Sequence, residues 1–315
     1  MHIVYFSPTG GTRKAAYIIG KEIDPQATEI DITDHTRQQN SYELNGEDTL
    51  LVAVPVYGGR VPSVAIDRLK RITGHNTPAI LVVVYGNRDY DDALLELKTT
   101  IESNGFQTVA CIACIAEHSI MRVYAKGRPD SDDETILKNF SEQIKTKLVQ
   151  LKNGESFTEI QVKGNADYKI YNGVPLKPRA GKKCTQCGKC AALCPTNAIP
   201  QENPRMTDES QCISCMRCIA VCPQNARKIN PLKLFLSIRA FKEKCEQEKN
   251  RNYLYNKTTT LIKRQIQDYF LSNVRAKSGS PLPRKNKYRR GGIFCFLEYN
   301  ESSPLSSFSH ISRLS

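Results

Sequence analysis

Residues 184–195 read Cys-x-x-Cys-x-x-Cys-x-x-x-Cys-Pro, and residues 212–223 repeat the run 28 positions later. Beyond the thiols and prolines, the two halves share Ala192/Ala220, Asn197/Asn225 and Ala198/Ala226, which marks an internal duplication. Iron prefers soft thiolates, and three cysteines at three-residue spacing wrap one face of a cubane cluster. A fourth thiolate must come from a remote segment, and in the two-cluster pattern each run's last Cys ligates the other cluster. The spacing therefore assigns Cys184, Cys187, Cys190 and Cys222 to one 4Fe-4S cluster. Cys212, Cys215, Cys218 and Cys194 fall to the second. Zinc sites use two Cys pairs, not a doubled triplet with a distal Cys-Pro.

With these residues, the segment 181–230 resembles the bacterial two-cluster ferredoxins. About fifty residues cannot bury much core, so the clusters are expected to be necessary for its folding. Lys182, Lys183, Lys189, Arg205, Arg217 and Arg227 surround the thiols. They offset cluster charge, greet an acidic partner, or form a plain solvated surface.

The 315 residues carry 12 Cys and a net charge of +13. Length argues against a disulfide scaffold, and the N-terminus, MHIVYFS, reads without the regions of a secretory signal. The longest apolar runs, 50–57 and 79–85, are too short to span a bilayer. The expectation is a cytoplasmic protein with no transmembrane segment and with reduced thiols. The charge is uneven. Residues 1–150 hold 16 Lys and Arg against 20 Asp and Glu, whereas residues 233–315 hold 17 against 6.

Apolar β-rich runs alternate with helical patterns through the first 150 residues. Strands are expected over 2–7, 27–32, 48–57, 79–85 and 108–117, and helices over 12–23, 64–72, 92–103 and 132–151. Five strands alternating with helices imply an α/β fold with a doubly wound parallel sheet. Ligands of such sheets bind outside the carboxyl ends of the strands, at the topological switch point.

Three strand ends carry loop chemistry. Ser7-Pro8-Thr9-Gly10-Gly11-Thr12 opens straight into a helix, so its amides and hydroxyls form a phosphate cradle. No Lys follows as in a nucleoside-triphosphate P-loop. Tyr57-Gly58-Gly59-Arg60 and Tyr85-Gly86-Asn87-Arg88 each pair an aromatic ring with glycines that allow close backbone approach, as a flat ring system requires. These loops resemble those of the flavodoxins. The resemblance implies a five-stranded flavodoxin-like sheet and bound flavin mononucleotide (FMN). Ser7, Thr9, Gly10, Gly11 and Thr12 would hold its phosphate, and Tyr57, Gly58, Gly59, Tyr85, Gly86 and Asn87 would flank its ring. Arg60 and Arg88 depart from the acidic ring loops of that family, and free cations there would favour the anionic reduced flavin.

Cys111 and Cys114 lie in an expected strand and read as buried small hydrophobes rather than a redox pair. His118 reads as a loop or core histidine. The expected organisation is a flavodoxin-like domain at 1–154, a linker at 155–180, a small α+β ferredoxin domain at 181–230 and a tail at 231–315. The tail is helical at first and then reads as basic and poorly ordered, with no nucleic-acid motif.

The whole resembles flavodoxin–ferredoxin fusion proteins of anaerobic prokaryotes. The implied function is electron transfer between two 4Fe-4S clusters and FMN, with redox partner proteins as donor and acceptor. The second class is a flavin-dependent oxidoreductase that reduces a small substrate near Tyr57, Tyr85 and Tyr90. The third is a basic binding protein that uses its tail. Donor, acceptor and oligomeric state have no signature in the sequence.

Overall fold

The computed structural model describes residues 1–37, 39–156, 158–246 and 252–255. Its first half alternates strands and helices. They are β1 (His2–Tyr5), α1 (Gly11–Ile23), β2 (Thr28–Asp31), β3 (Tyr42–Leu44), β4 (Leu50–Pro55), α2 (Ser63–Leu69), β5 (Ile72–Gly74), β6 (Thr77–Tyr85), α3 (Ala93–Ser103), β7 (Phe106–Ile115) and α4 (Ser131–Lys152). The second half is sparser. It holds β8 (Arg179–Ala180), α5 (Lys189–Ala192), α6 (Arg217–Ala220), β9 (Arg227–Lys228), α7 (Pro231–Glu246) and β10 (Tyr253–Tyr255).

The main sheet runs β2-β1-β4-β6-β7, all parallel. That is the flavodoxin-like 2-1-3-4-5 order, with its switch point between β1 and β4. Every residue of β4 and of β6 is buried, as expected of parallel strands covered on both faces. α1 packs with α4, and α2 with α3. The α4 start is fixed by a capping box: the Asp130 carboxylate accepts from the Asp132 and Asp133 amides, and the Asp133 carboxylate accepts from the Asp130 amide.

Two features go beyond the five expected strands. β3 and β5 form a separate parallel pair, so the end of the expected 64–72 helix is instead the start of a strand. β10 adds a sixth, antiparallel strand at the β7 edge, pairing Leu254 with Ile112. Leu254 is buried there, and the buried Asn252 side chain accepts from the Ile115 amide at 2.9 Å and donates to Asp133 at 2.7 Å. Residues 252–255 thus belong to the α/β sheet, although the chain reaches them after the cysteine segment. The expectation of a poorly ordered basic tail otherwise lies outside the described residues, as does Cys295.

Residues 158–180 form a strap across the end of the sheet. The Asn165 and Lys169 amides donate to the Asp92 carboxylate at 2.9 and 2.7 Å, and Lys163 binds Asp89 at 2.8 Å. β8 then pairs with β9 and closes the cysteine segment at its two ends. α7 packs Leu234, Ile238, Phe241 and its own buried Cys245 against Met121 and Tyr124. The described residues all fall within one compact unit. Among the described residues, no helix is long and apolar enough to cross a membrane.

Candidate functional site

The duplication seen in the cysteine runs recurs in the backbone. Gln186 and Ser214, Gly188 and Met216, and Asn197 and Asn225 all take positive φ, and each pair is 28 residues apart. α5 and α6 are offset by the same 28 residues. Each run therefore bends in the same places, because a loop that wraps a compact group must turn its chain sharply between thiols. Gly188 adopts that turn freely, whereas its counterpart Met216 holds φ 64° with a side chain only 3% exposed.

Two cavities result. Cys184, Cys187, Cys190 and Cys222 line one. Cys194, Cys212, Cys215 and Cys218 line the other, so each run sends its last thiol to its partner's cavity. The apolar core around them is small: Cys190, Ala191, Cys194, Ala198 and Ile199. Burial pushes the Cys218 thiol up to about 12 and raises Cys215 and Cys212 as well. At Cys222 burial acts the same way, but backbone donors outweigh it, and the Ala226 amide reaches Sγ at 3.3 Å. Arg227 is fully buried beneath the segment, donating to Thr207 Oγ1 at 2.7 Å and to the Met206 carbonyl at 3.0 Å. It ties the return of the chain to its middle.

A cleft lies at the carboxyl ends of β1, β4, β6 and β7. Thr9, Gly11, Thr12, Tyr57, Tyr85 and Gly86 line it, six of the eleven loop residues expected from the sequence. Gly10 caps α1 at φ 92°, and a Cβ there would meet nothing within 4 Å. The Thr9, Gly10, Gly11 and Thr12 amides donate to no other described residue, so the mouth of the cradle is open to an anion. Ser7 stands behind it. Its Oγ accepts from the Arg13 amide at 2.9 Å, and its amide donates to Thr33 Oγ1 at 2.6 Å.

Gly58, Gly59 and Asn87 do not line the cleft. Gly58 lies under the Tyr171 ring of the strap, 2.1 Å from where its Cβ would stand, and Gly59 lies against Asp91. Their close approaches serve the chain's own side chains. Asn87 is buried and donates to the Cys245 carbonyl at 2.5 Å, which anchors α7. Arg60 is not free. It forms two bonds to Glu96 at 2.8 and 2.6 Å and stacks on Tyr168. Arg88 is paired with Asp91. Tyr90 is buried, with its hydroxyl on Tyr255. Cys111 and Cys114 are fully buried in β7, as expected of core residues.

His118 was missed as a wall of the cleft. Its ring packs on Gly86, where a Cβ would sit 2.8 Å away. Its Nδ1 accepts from the Ile120 and Met121 amides at 3.1 and 3.2 Å. Burial, with Arg88 acting in the same direction, pushes its pKa down to about 4. Its place just past the fifth parallel strand was the available signal, since ligands gather at that end of such sheets.

The cleft and the second cysteine cavity share supports. The Tyr57 phenol in the cleft is pushed well above its usual value by burial, with the charges of Cys215 and Tyr171 adding to the effect. Arg217 lines the cysteine cavity and donates to the Pro8 carbonyl of the cradle at 3.3 Å. Arg68 joins the Ile32 and Thr33 carbonyls at 2.5 and 2.9 Å to the Pro195 carbonyl at 2.5 Å.

Residues 183–226 match the model of the 4Fe-4S dicluster domain. No curated protein matches the chain. An NADH:FMN oxidoreductase in its apo form aligns with 46% of this chain and 87% of its own, at 15% identity and a TM-score of 0.36. The flavodoxin of Streptococcus pneumoniae TIGR4 aligns with 46% of this chain and 97% of its own, at 18% identity and a TM-score of 0.32. A short-chain flavodoxin associated with a bacterial microcompartment aligns with 48% and 96%, at 18% identity and 0.33. The chain joins an α/β domain of flavodoxin-like topology to a 4Fe-4S dicluster segment.

Proposed function

We propose that the chain is an electron-transfer protein relaying electrons between two 4Fe-4S clusters and FMN. The observation that carries this reading is the hydrogen bond from Arg217, which lines the second cysteine cavity, to the carbonyl of Pro8, which lines the cleft. Cys184, Cys187, Cys190 and Cys222 hold one cluster, and Cys194, Cys212, Cys215 and Cys218 the other. The Thr9–Thr12 amides and the Thr12 hydroxyl receive the phosphate, and Tyr57, Tyr85 and Gly86 flank the ring. Ser7, Gly58, Gly59 and Asn87 support those loops from behind.

When bound, flavin exchanges two electrons singly while each cluster carries one, so the fusion couples two-electron to one-electron chemistry. The protein's part is positioning. Arg68 ties the turn after Cys194 to the carbonyls at the end of β2, and Arg217 ties the second cysteine cavity to the Pro8 carbonyl of the cradle.

Anaerobic purification with iron, sulfide and flavin counts tests the reading. About eight irons and one flavin per chain are expected, from two four-iron clusters. Eight irons with no FMN binding, even on titration, would reduce the first domain to a scaffold.

A second reading is a flavoenzyme. A groove of about 760 Å³ opens beside Tyr57, Arg60 and Tyr171 and offers room for a small substrate. Steady turnover of a defined small acceptor by the purified protein would favour it over a carrier.

A further inference from the structure

We propose that a basic cavity beside the first cysteine cavity is the docking face for an acidic electron-carrier protein. The inference rests on reading the cysteine cavities as cluster sites. The cavity, about 470 Å³, lies between β8, β9 and the start of α7. Lys182, Lys183, Lys228 and Lys233 line it, and all four are exposed. Among the described residues none of the four forms an ion pair, while Glu209, the one acid of the wall, is held by Arg179 at 2.6 Å. Four uncompensated cations round one concavity focus a positive potential that attracts a partner of opposite sign.

Two observations favour a carrier protein over a small anion or a lipid surface. First, Lys182 and Lys183 directly precede Cys184, and Ala226 lines both this cavity and the one formed by Cys184, Cys187, Cys190 and Cys222. The first cavity has one exposed thiol, Cys187, and one buried, Cys190, whereas the second has none exposed and two buried, Cys194 and Cys215. The first cysteine cavity is thus the more open of the two, and it shares Ala226 with the basic cavity.

Second, Lys233 sits in a stretch of α7 where Leu232, Phe235 and Leu236 are 66%, 53% and 56% exposed. The inward residues Leu234, Ile238 and Phe241 already serve the core, so these three are spare apolar surface. An apolar patch bordered by charge is what protein docking uses, with charge steering the encounter and apolar contact holding it. A small anion has no use for the patch, and a planar lipid surface has none for the concavity. In the transfer, the reduced carrier loses one electron and the cluster held by Cys184, Cys187, Cys190 and Cys222 gains it.

The test uses the full chain with its clusters, and as probe a reduced acidic two-cluster ferredoxin. Stopped-flow reduction is followed in the wild type, in Lys182→Glu/Lys183→Glu, in Lys228→Glu/Lys233→Glu and in Phe235→Ser. Photoreduced deazaflavin serves as a small control reductant. The wild-type rate should fall steeply with salt. Each charge reversal should slow reduction by the ferredoxin ~10-fold or more at low salt and flatten that dependence, because steering contributes 10- to 1,000-fold to such rates. Phe235→Ser should slow reduction and leave the salt slope intact. Iron counts and deazaflavin rates should match the wild type throughout.

Wild-type ferredoxin rates in both charge-reversed variants, with iron intact, would overturn the proposal. So would sedimentation of the wild type with anionic vesicles that both charge-reversed variants lose while keeping their ferredoxin rates. A wild type that holds no cluster after reconstitution would instead defeat the reading of the cysteine cavities, and iron analysis separates that failure from the others.

Discussion

Arg68, in the second helix of the α/β domain, donates from Nη2 to the Pro195 carbonyl at 2.5 Å, one residue beyond Cys194. The same guanidinium holds the Ile32 and Thr33 carbonyls, and it is itself buried. Burial lowers its pKa, opposed by Asp34 and Asp31. A buried cation of this kind is held in place by its acceptors. In turn it fixes the β2 end of the sheet to the turn that follows a cysteine of the second cavity.

Replacing that side chain tests the tie. Arg68→Met keeps the apolar stem and leaves three carbonyls without their donor. Stability of the loaded protein should fall by about 2–4 kcal/mol, the scale of several buried acceptors losing their partners. Chemical denaturation would measure it, and a loss under ~0.5 kcal/mol would show that water replaces the guanidinium without cost.

The exchange of last thiols makes a pointed prediction about Cys222. It belongs to the second run by sequence but lines the first cavity. Cys222→Ala should therefore lower iron from about eight to about four per chain and spare the cluster on Cys194, Cys212, Cys215 and Cys218. Electron paramagnetic resonance of the reduced variant should lose the magnetic interaction of neighbouring clusters. Loss of the other cluster alone would reverse the assignment.

A chain ending at residue 251 should be clearly less stable than one ending at residue 255. It lacks the buried Leu254 and the Asn252 bonds to Ile115 and Asp133. Burial of one leucine contributes about 2 kcal/mol and each buried hydrogen bond about 1 kcal/mol. A drop of roughly 4 kcal/mol in unfolding free energy is expected on that basis. Equal melting of the two chains would mean that β10 is ornamental.

His118 predicts a pH dependence. Its folded pKa of about 4 lies below the ordinary value of about 6.5, so the folded state binds fewer protons than the unfolded one between those limits. The stability linked to a neutral His118 is fully present above about pH 6.5 and is lost as pH falls towards 4. His118→Gln should flatten the fall in stability across that window relative to the wild type. Parallel profiles would contradict a buried neutral imidazole.

Much of the architecture was legible because it rests on periodicity and spacing. Buried parallel strands such as Leu50–Pro55 are continuous apolar runs, and a cluster-binding loop repeats at a fixed interval. What escaped notice depends on single contacts without a period. β10 is three residues long, and its signal is Asn252 meeting Asp133, two positions far apart in the chain. Arg60 and Arg88 looked like free cations near the ring loops, but their carboxylate partners come from Glu96 and Asp91. Gly58 and Gly59 marked close approaches correctly, yet the approaching groups are Tyr171 and Asp91 of this chain. A glycine announces that something comes near without saying what.

The late arrival of β10 has a consequence for assembly. During synthesis the parallel sheet is complete through β7 well before residues 253–255 emerge, and the whole cysteine segment lies between. Until then the β7 edge is bare, and a bare edge is a template for pairing with another chain. The strand that caps it is carried in by α7, whose carboxyl end is held by Asn87. A chain stalled or cleaved before residue 252 would expose a self-associating edge, so the sheet is sealed only after the cysteine segment has been made.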